Sequence, residues 1–138
     1  MSTFVYKVNP RGEVGKHVGD WFVFFDEPRP CSWGLAEIVC TECRPQPKDR
    51  VVCYQSSIGE VVGTARVVGY QFGHLILHAI EGPFPRGVKI SELKKIDRRI
   101  HDLDAFRQGL IKTLYRISDG DADHLLNTIK RFWVDADN

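Results

Sequence analysis

The residues best suited to chemistry in this chain are polar side chains set beside large aromatics. Asn9 follows the first apolar run, and Trp21 and Trp33 stand where loops give way to apolar segments. Tyr54, Gln55 and Ser56 come together at the end of a β-branched run, and Lys112, Thr113, Tyr115 and Arg116 close a basic region that also holds Arg107. Aromatic rings stack on flat heterocycles, asparagine and serine read the edge of a base, and cations hold phosphate. Each has a plainer reading beside that one. Trp21 and Tyr54 also suit a core, Asn9 also suits a turn, and Arg107 and Arg116 also suit an ordinary solvated surface.

Covalent chemistry is less well served. The glycines form neither a nucleotide-binding P-loop nor a dinucleotide fingerprint. No nucleophile elbow surrounds Ser56, Ser57 or Ser118. The histidines at 17, 74, 78, 101 and 124 are scattered, and His74 and His78 fall on an expected strand, where a spacing of four gives no metal-binding face. Cys40-Thr41-Glu42-Cys43 has the spacing of a metal clip, with Cys31 and Cys53 as candidates to complete a four-ligand zinc site. The competing reading, buried strand cysteines, is preferred. No metal or cofactor is expected.

Composition sets the frame. The chain has 138 residues, 43% of them hydrophobic and 27% charged, which suits one globular domain over 1–138 without disulfide staples. No apolar run is long enough to span a membrane as a helix, and the first residues lack the features of a signal peptide. A cytoplasmic location is the default expectation. The net charge of +1 is uninformative, but its distribution is not: residues 86 to 116 hold nine Lys or Arg against four Asp or Glu. A basic segment on a near-neutral chain suits a phosphate-facing surface, and equally a solvated helix face.

The elements that must position these residues are read from pattern. Arg50 to Gln55 and Val61 to Tyr70 predict an antiparallel hairpin at the centre of the fold, with Gly63 and Gly69 marking bends or bulges. Phe4 to Val8 and Leu75 to Ile80 predict further strands. Trp21 to Phe25 fits a buried strand or a helical turn, and Trp33 to Cys40 is equally ambiguous. Val88 to Ile90 is expected to close the sheet, Ser91 to cap a short basic helix, and Lys112 to Arg116 to form an edge strand. Asp102 to Gly109, with Phe106 inside it, reads as a helical turn or a loop. Ser118 caps a last helix whose Leu125, Leu126 and Ile129 face the sheet.

In order along the chain, these segments resemble an EVE domain, a family of the PUA-like superfamily related to YTH domains. The resemblance rests on Phe4-Val5-Tyr6-Lys7-Val8-Asn9-Pro10, Gly19-Asp20-Trp21, Trp33-Gly34, Lys48 to Gln55, Val62 to Val67, Ile90 to Lys94, Gly109 to Ile117 and the final helix. It implies an α+β fold, a PUA-like curved mixed or antiparallel β-barrel flanked by short helices. It also implies a noncatalytic module that reads a modified base, a methylated one foremost, in DNA or RNA. Asn9, Trp21, Trp33, Tyr54, Ser56 and Tyr115 would then form or rim the base pocket, and Arg107, Lys112 and Arg116 would contact phosphate. The competing expectations are an enzyme or binding protein for a small nucleotide-like ligand, and a module for an unidentified protein partner.

Overall fold

The computed structural model describes residues 2–8, 20–26, 31–34, 44–71, 74–107 and 114–137, with the backbone alone at 31–34, 71, 74 and 135–137. Three strands predicted from β-branched runs form: β1 (Thr3–Val8), β3 (Arg50–Gln55) and β4 (Glu60–Gln71). β5 (His74–Glu81) follows as an apolar run, and two four-residue strands, β2 (Cys31–Gly34) and β6 (Leu114–Ile117), complete a sheet that has six strands among the described residues, in the order β2-β5-β4-β3-β1-β6.

The expected central hairpin is present, with Arg50 opposite Arg66 and Gln55 opposite Glu60. Its register shifts between Cys53 and Tyr54, opposite Gly63, and β4 shifts again against β5 between Val67 and Gly69. The two glycines thus mark bulges. At Gly63 the strand also passes close under the Phe25 ring, within 2.5 Å of where a Cβ would stand. Asp49 anchors the entry to β3: its two carboxylate oxygens accept the amides of Ser2 and Gln46, each at 2.8 Å.

The barrel expectation is wrong. Among the described residues β2 and β6 are the two edges of an open sheet and do not pair with each other, and the sheet does not curl strongly. β1 and β3 run parallel, Thr3 beside Arg50 and Val8 beside Gln55, which makes the sheet mixed. Closure is one way to bury a sheet's faces, and covering with helices is another. Here α2 (Ile90–Ile96), α3 (Arg98–His101) and α4 (Asp119–Asp137) supply residues to one face. Val88 to Ile90 does not close the sheet either: Lys89 makes one isolated bridge to Glu60, and Ile90 already begins α2.

Each face has its own core. On one, Phe4, Tyr6, Val8, Val51, Cys53, Leu75 and Leu77 pack with Trp21 and Phe24 of α1 (Trp21–Asp26). On the other, Val5, Val52, Val61 and Tyr115 pack with Leu93, Ile100, Phe106, Leu125 and Ile129. The strand period of two sends neighbouring residues to opposite faces.

Of the two readings of Trp21 to Phe25, the helix wins. Asp20 caps it, accepting the Phe22 amide at 2.9 Å, and burial falls on Trp21 and Phe24 while Phe22 and Val23 stay exposed. Ser118 caps α4 as expected, accepting the Asp121 amide at 3.0 Å. Ser91 does not cap α2, which begins a residue earlier from Lys89 without a side-chain cap. In α4 the buried stripe is Ala122, Leu125 and Ile129, and Leu126 is only half-buried at its flank. Among the described residues no helix is long and apolar enough to cross a membrane.

Candidate functional site

The β3–β4 turn brings together the groups best placed for binding. Ser56 secures its start: its amide and its hydroxyl both donate to the Val8 carbonyl at 3.0 Å, which joins the ends of the parallel pair. Gly59, with φ of 68°, completes the turn in the left-handed region, and its amide donates to the Gln55 carbonyl at 2.9 Å. Beyond it the Gly59 carbonyl accepts the Ile90 amide at 2.8 Å, and Lys89 Nζ donates to the Ile58 carbonyl at 3.2 Å. The turn and the first residues of α2 are therefore held against each other.

Between them lies a cleft of about 400 Å³, within the usual size of small-ligand sites. Tyr54 and Phe106 supply aromatic rings, with centroids 5.1 Å apart and planes tilted by 57°. Ile58 and Gly59 form one wall, and Lys89, Ile90, Ser91 and Lys94 the other. Phe106 sits in a 3₁₀ turn, Asp104–Phe106, and its carbonyl accepts from Lys94 Nζ at 2.9 Å. Each lysine ammonium carries three protons, so one such bond does not exhaust it.

Tyr54 is half-buried, and burial raises its hydroxyl above the usual phenol range. The phenol is neutral near pH 7 and able to donate. Lys7 stands over two rings of the same face, 5.7 Å from the Tyr54 centroid and 4.7 Å from that of Tyr115. A cation at these distances is attracted to the ring faces. The cleft therefore offers flat π surface, hydroxyls and positive charge together, a combination suited to a planar ligand bearing an anionic group.

The sequence-predicted residues distribute unevenly around this cleft. Tyr54 lines it, and Tyr115, 8% exposed, lies beside it on the same face under Lys7. Trp21 lies on the other face and is fully buried. Its indole N–H reaches the Tyr6 and Tyr54 carbonyls at 3.3 and 3.2 Å, its amide donates to Gln55 Oε1 at 3.0 Å, and Tyr6 and Phe24 pack edge-on against its ring. Ser56 is partly buried at the turn. The backbone of Trp33 is on edge strand β2, beyond β5 and β4, paired with Leu75 near the end of the sheet opposite to Ser56.

Arg107 is exposed next to Phe106 and pairs loosely with Asp104 at 3.6 Å, and Arg116 is exposed on β6 opposite Phe4. Asn9 and Lys112 lie outside the described residues, as do Cys40 and Cys43. Cys53 is buried in the core with its thiol pushed up by burial, and among the described residues no group of His, Cys, Asp and Glu could hold a metal ion. Sequence reasoning passed over Phe106, Lys89 and Lys94 as site residues. The available signal was an aromatic residue inside the most basic stretch of the chain.

No family model matches the chain, and no curated protein sequence matches it. Its fold is similar to that of a solved structure described as a hypothetical protein from Leishmania major. The TM-score is 0.70 at 13% identity, over 96% of this chain and 97% of the other, a likeness that speaks to the fold alone.

Proposed function

We propose that this protein is a noncatalytic nucleic-acid-binding module that takes one base in the cleft lined by Tyr54 and Phe106. One observation carries the reading: two aromatic rings and the lysines at 89 and 94 line the same cleft, with Lys7 over the Tyr54 ring. In this reading the base lies against the ring surface, the Tyr54 hydroxyl donates to its edge, and Lys89 and Lys94 face the adjoining phosphate. That the base is a modified one, methylated foremost, rests on the resemblance to EVE domains. A buried methyl contributes only about 0.8 kcal/mol, so strong discrimination requires the cleft to exclude the unmodified base by shape or hydration.

The test is a titration of labelled single- and double-stranded DNA and RNA, methylated and unmethylated, at two salt concentrations. Tyr54→Leu, once shown to fold, should lose about 1 to 3 kcal/mol of binding, the worth of one stacked base. Lys89→Ala should weaken all ligands alike and flatten the log–log salt slope by about 0.7 on single strands and about 0.9 on duplex DNA. Binding that ignores methylation would remove the modified-base part of the proposal. No binding of any nucleic acid would remove the whole.

The size of the cleft also suits a free nucleotide-like small molecule. A mononucleotide that binds as tightly as any oligonucleotide would favour that second reading.

A further inference from the structure

A second cleft, of about 540 Å³, opens where the end of α4 meets the segment after β5. Trp133 forms part of its wall and is held in place on two sides. Its indole N–H donates to the Arg86 carbonyl at 3.0 Å, and Phe84 packs against the ring with centroids 5.2 Å apart at 71°. Such a ring is a pre-set plate, and an incoming flat group need not first order it. Arg86 and Lys130 bring positive charge to the same cleft, and Lys130 is already paired with Glu81 at 3.2 Å.

Both clefts lie on the helical face of the sheet. Arg86 lines this one and Lys89 lines the first, and Trp133 and Phe84 pack against the same core cluster as Tyr54 and Phe106. The short connection between them carries a cation at each end. The Glu60 carboxylate lies against Gly87, between the two cations, so the charge forms two separate points. Aromatic plates that each stand beside a cation suit a single strand, whose bases stack at intervals while its phosphates meet the cations.

We propose that the Trp133 cleft is a second nucleotide subsite, so that the protein takes a single-stranded segment across both clefts. The inference rests on the nucleic-acid reading of the Tyr54 cleft. It adds a footprint longer than one nucleotide. A protein segment is the competing occupant of the second cleft.

The test is a length ladder of single-stranded DNA and RNA, from nucleoside 5′-monophosphate to hexanucleotide, titrated against wild type, Trp133→Ala and Arg86→Glu. Trp133 also packs on Phe84, so the exposed Arg86 provides a variant that leaves the core intact. Wild-type affinity should rise with length. Both variants should lose about tenfold on the longer strands, as expected for one stacked base or a reversed phosphate contact, and should bind the monophosphate as wild type does. If affinity does not rise with length, or if both variants bind long strands normally while Tyr54→Leu does not, the second subsite is overturned and the first stands. If wild type binds nothing on the ladder, both are overturned.

Discussion

The two faces of the sheet use aromatic residues in opposite ways. On the α1 face, Trp21 is 0% exposed, its N–H groups are satisfied by backbone carbonyls and Gln55, and its ring is enclosed by Tyr6, Phe24 and Phe25. On the helical face, Tyr54 is only half-buried, and it borders a cleft with Phe106 and two lysines. Burial with every polar atom satisfied makes an aromatic residue a structural anchor. A ring left at the mouth of a cleft beside cations is available to a ligand. The residue type does not decide between these roles; its environment does.

That contrast breaks first on stability. Trp21→Ala should destabilise the protein by about 3 to 5 kcal/mol, the range for emptying a buried tryptophan site. Urea unfolding would measure it, and a loss below about 1 kcal/mol would remove Trp21 from the anchor role. The helical face offers a finer test within one helix. Leu125 is fully buried and Leu126 is half-buried. Leu125→Ala should cost about 2 to 5 kcal/mol and Leu126→Ala clearly less. Equal costs would mean that α4 presents a wider face to the sheet than the structure gives it.

The smallest expected effect is electrostatic and also belongs to the helical face. Burial of Asp97 would raise its carboxyl, but the bond from the Ile100 amide at 3.0 Å and that to His124 at 2.7 Å outweigh it and hold the carboxyl below its usual value. A carboxyl lowered by folding adds stability above its unfolded value of about 3.9, and that stability is lost as pH falls through the folded value. Asp97→Asn should therefore unfold with a flatter dependence on pH below about 5 than wild type, since asparagine still caps but does not titrate. Parallel melting curves for the two proteins across that range would show the mutation to be irrelevant there.

How much of this was legible in the sequence depends on how local the cause is. The central hairpin is written in β-branched runs and two glycines, and the α4 cap is written in Ser118. The α1 helix was ambiguous because Trp21 to Phe25 is apolar throughout; the deciding contact is the single cap from Asp20. The parallel pairing of β1 with β3 joins segments more than forty residues apart, and nothing local announces it. The open sheet follows from helices covering a face, which no strand pattern encodes. The cleft is the hardest case. Tyr54 could be nominated from its neighbours Gln55 and Ser56, but Phe106, Lys89 and Lys94 meet it only because α2 and the 3₁₀ turn pack over the β3–β4 turn. Leu126 fits the expected stripe because it is one helical turn from Ala122, yet the buried stripe passes through Leu125 to Ile129.

The proposed binding mode brings ligand to the helical face and not to Trp21. Amide and aromatic NMR spectra recorded during titration with a methylated single-stranded oligonucleotide test it most directly. The largest shifts should fall on Tyr54, Gly59, Ser91 and Phe106, with the α1 residues Trp21 and Phe24 little changed. The largest shifts on α1, with the Tyr54 cleft silent at saturation, would contradict it.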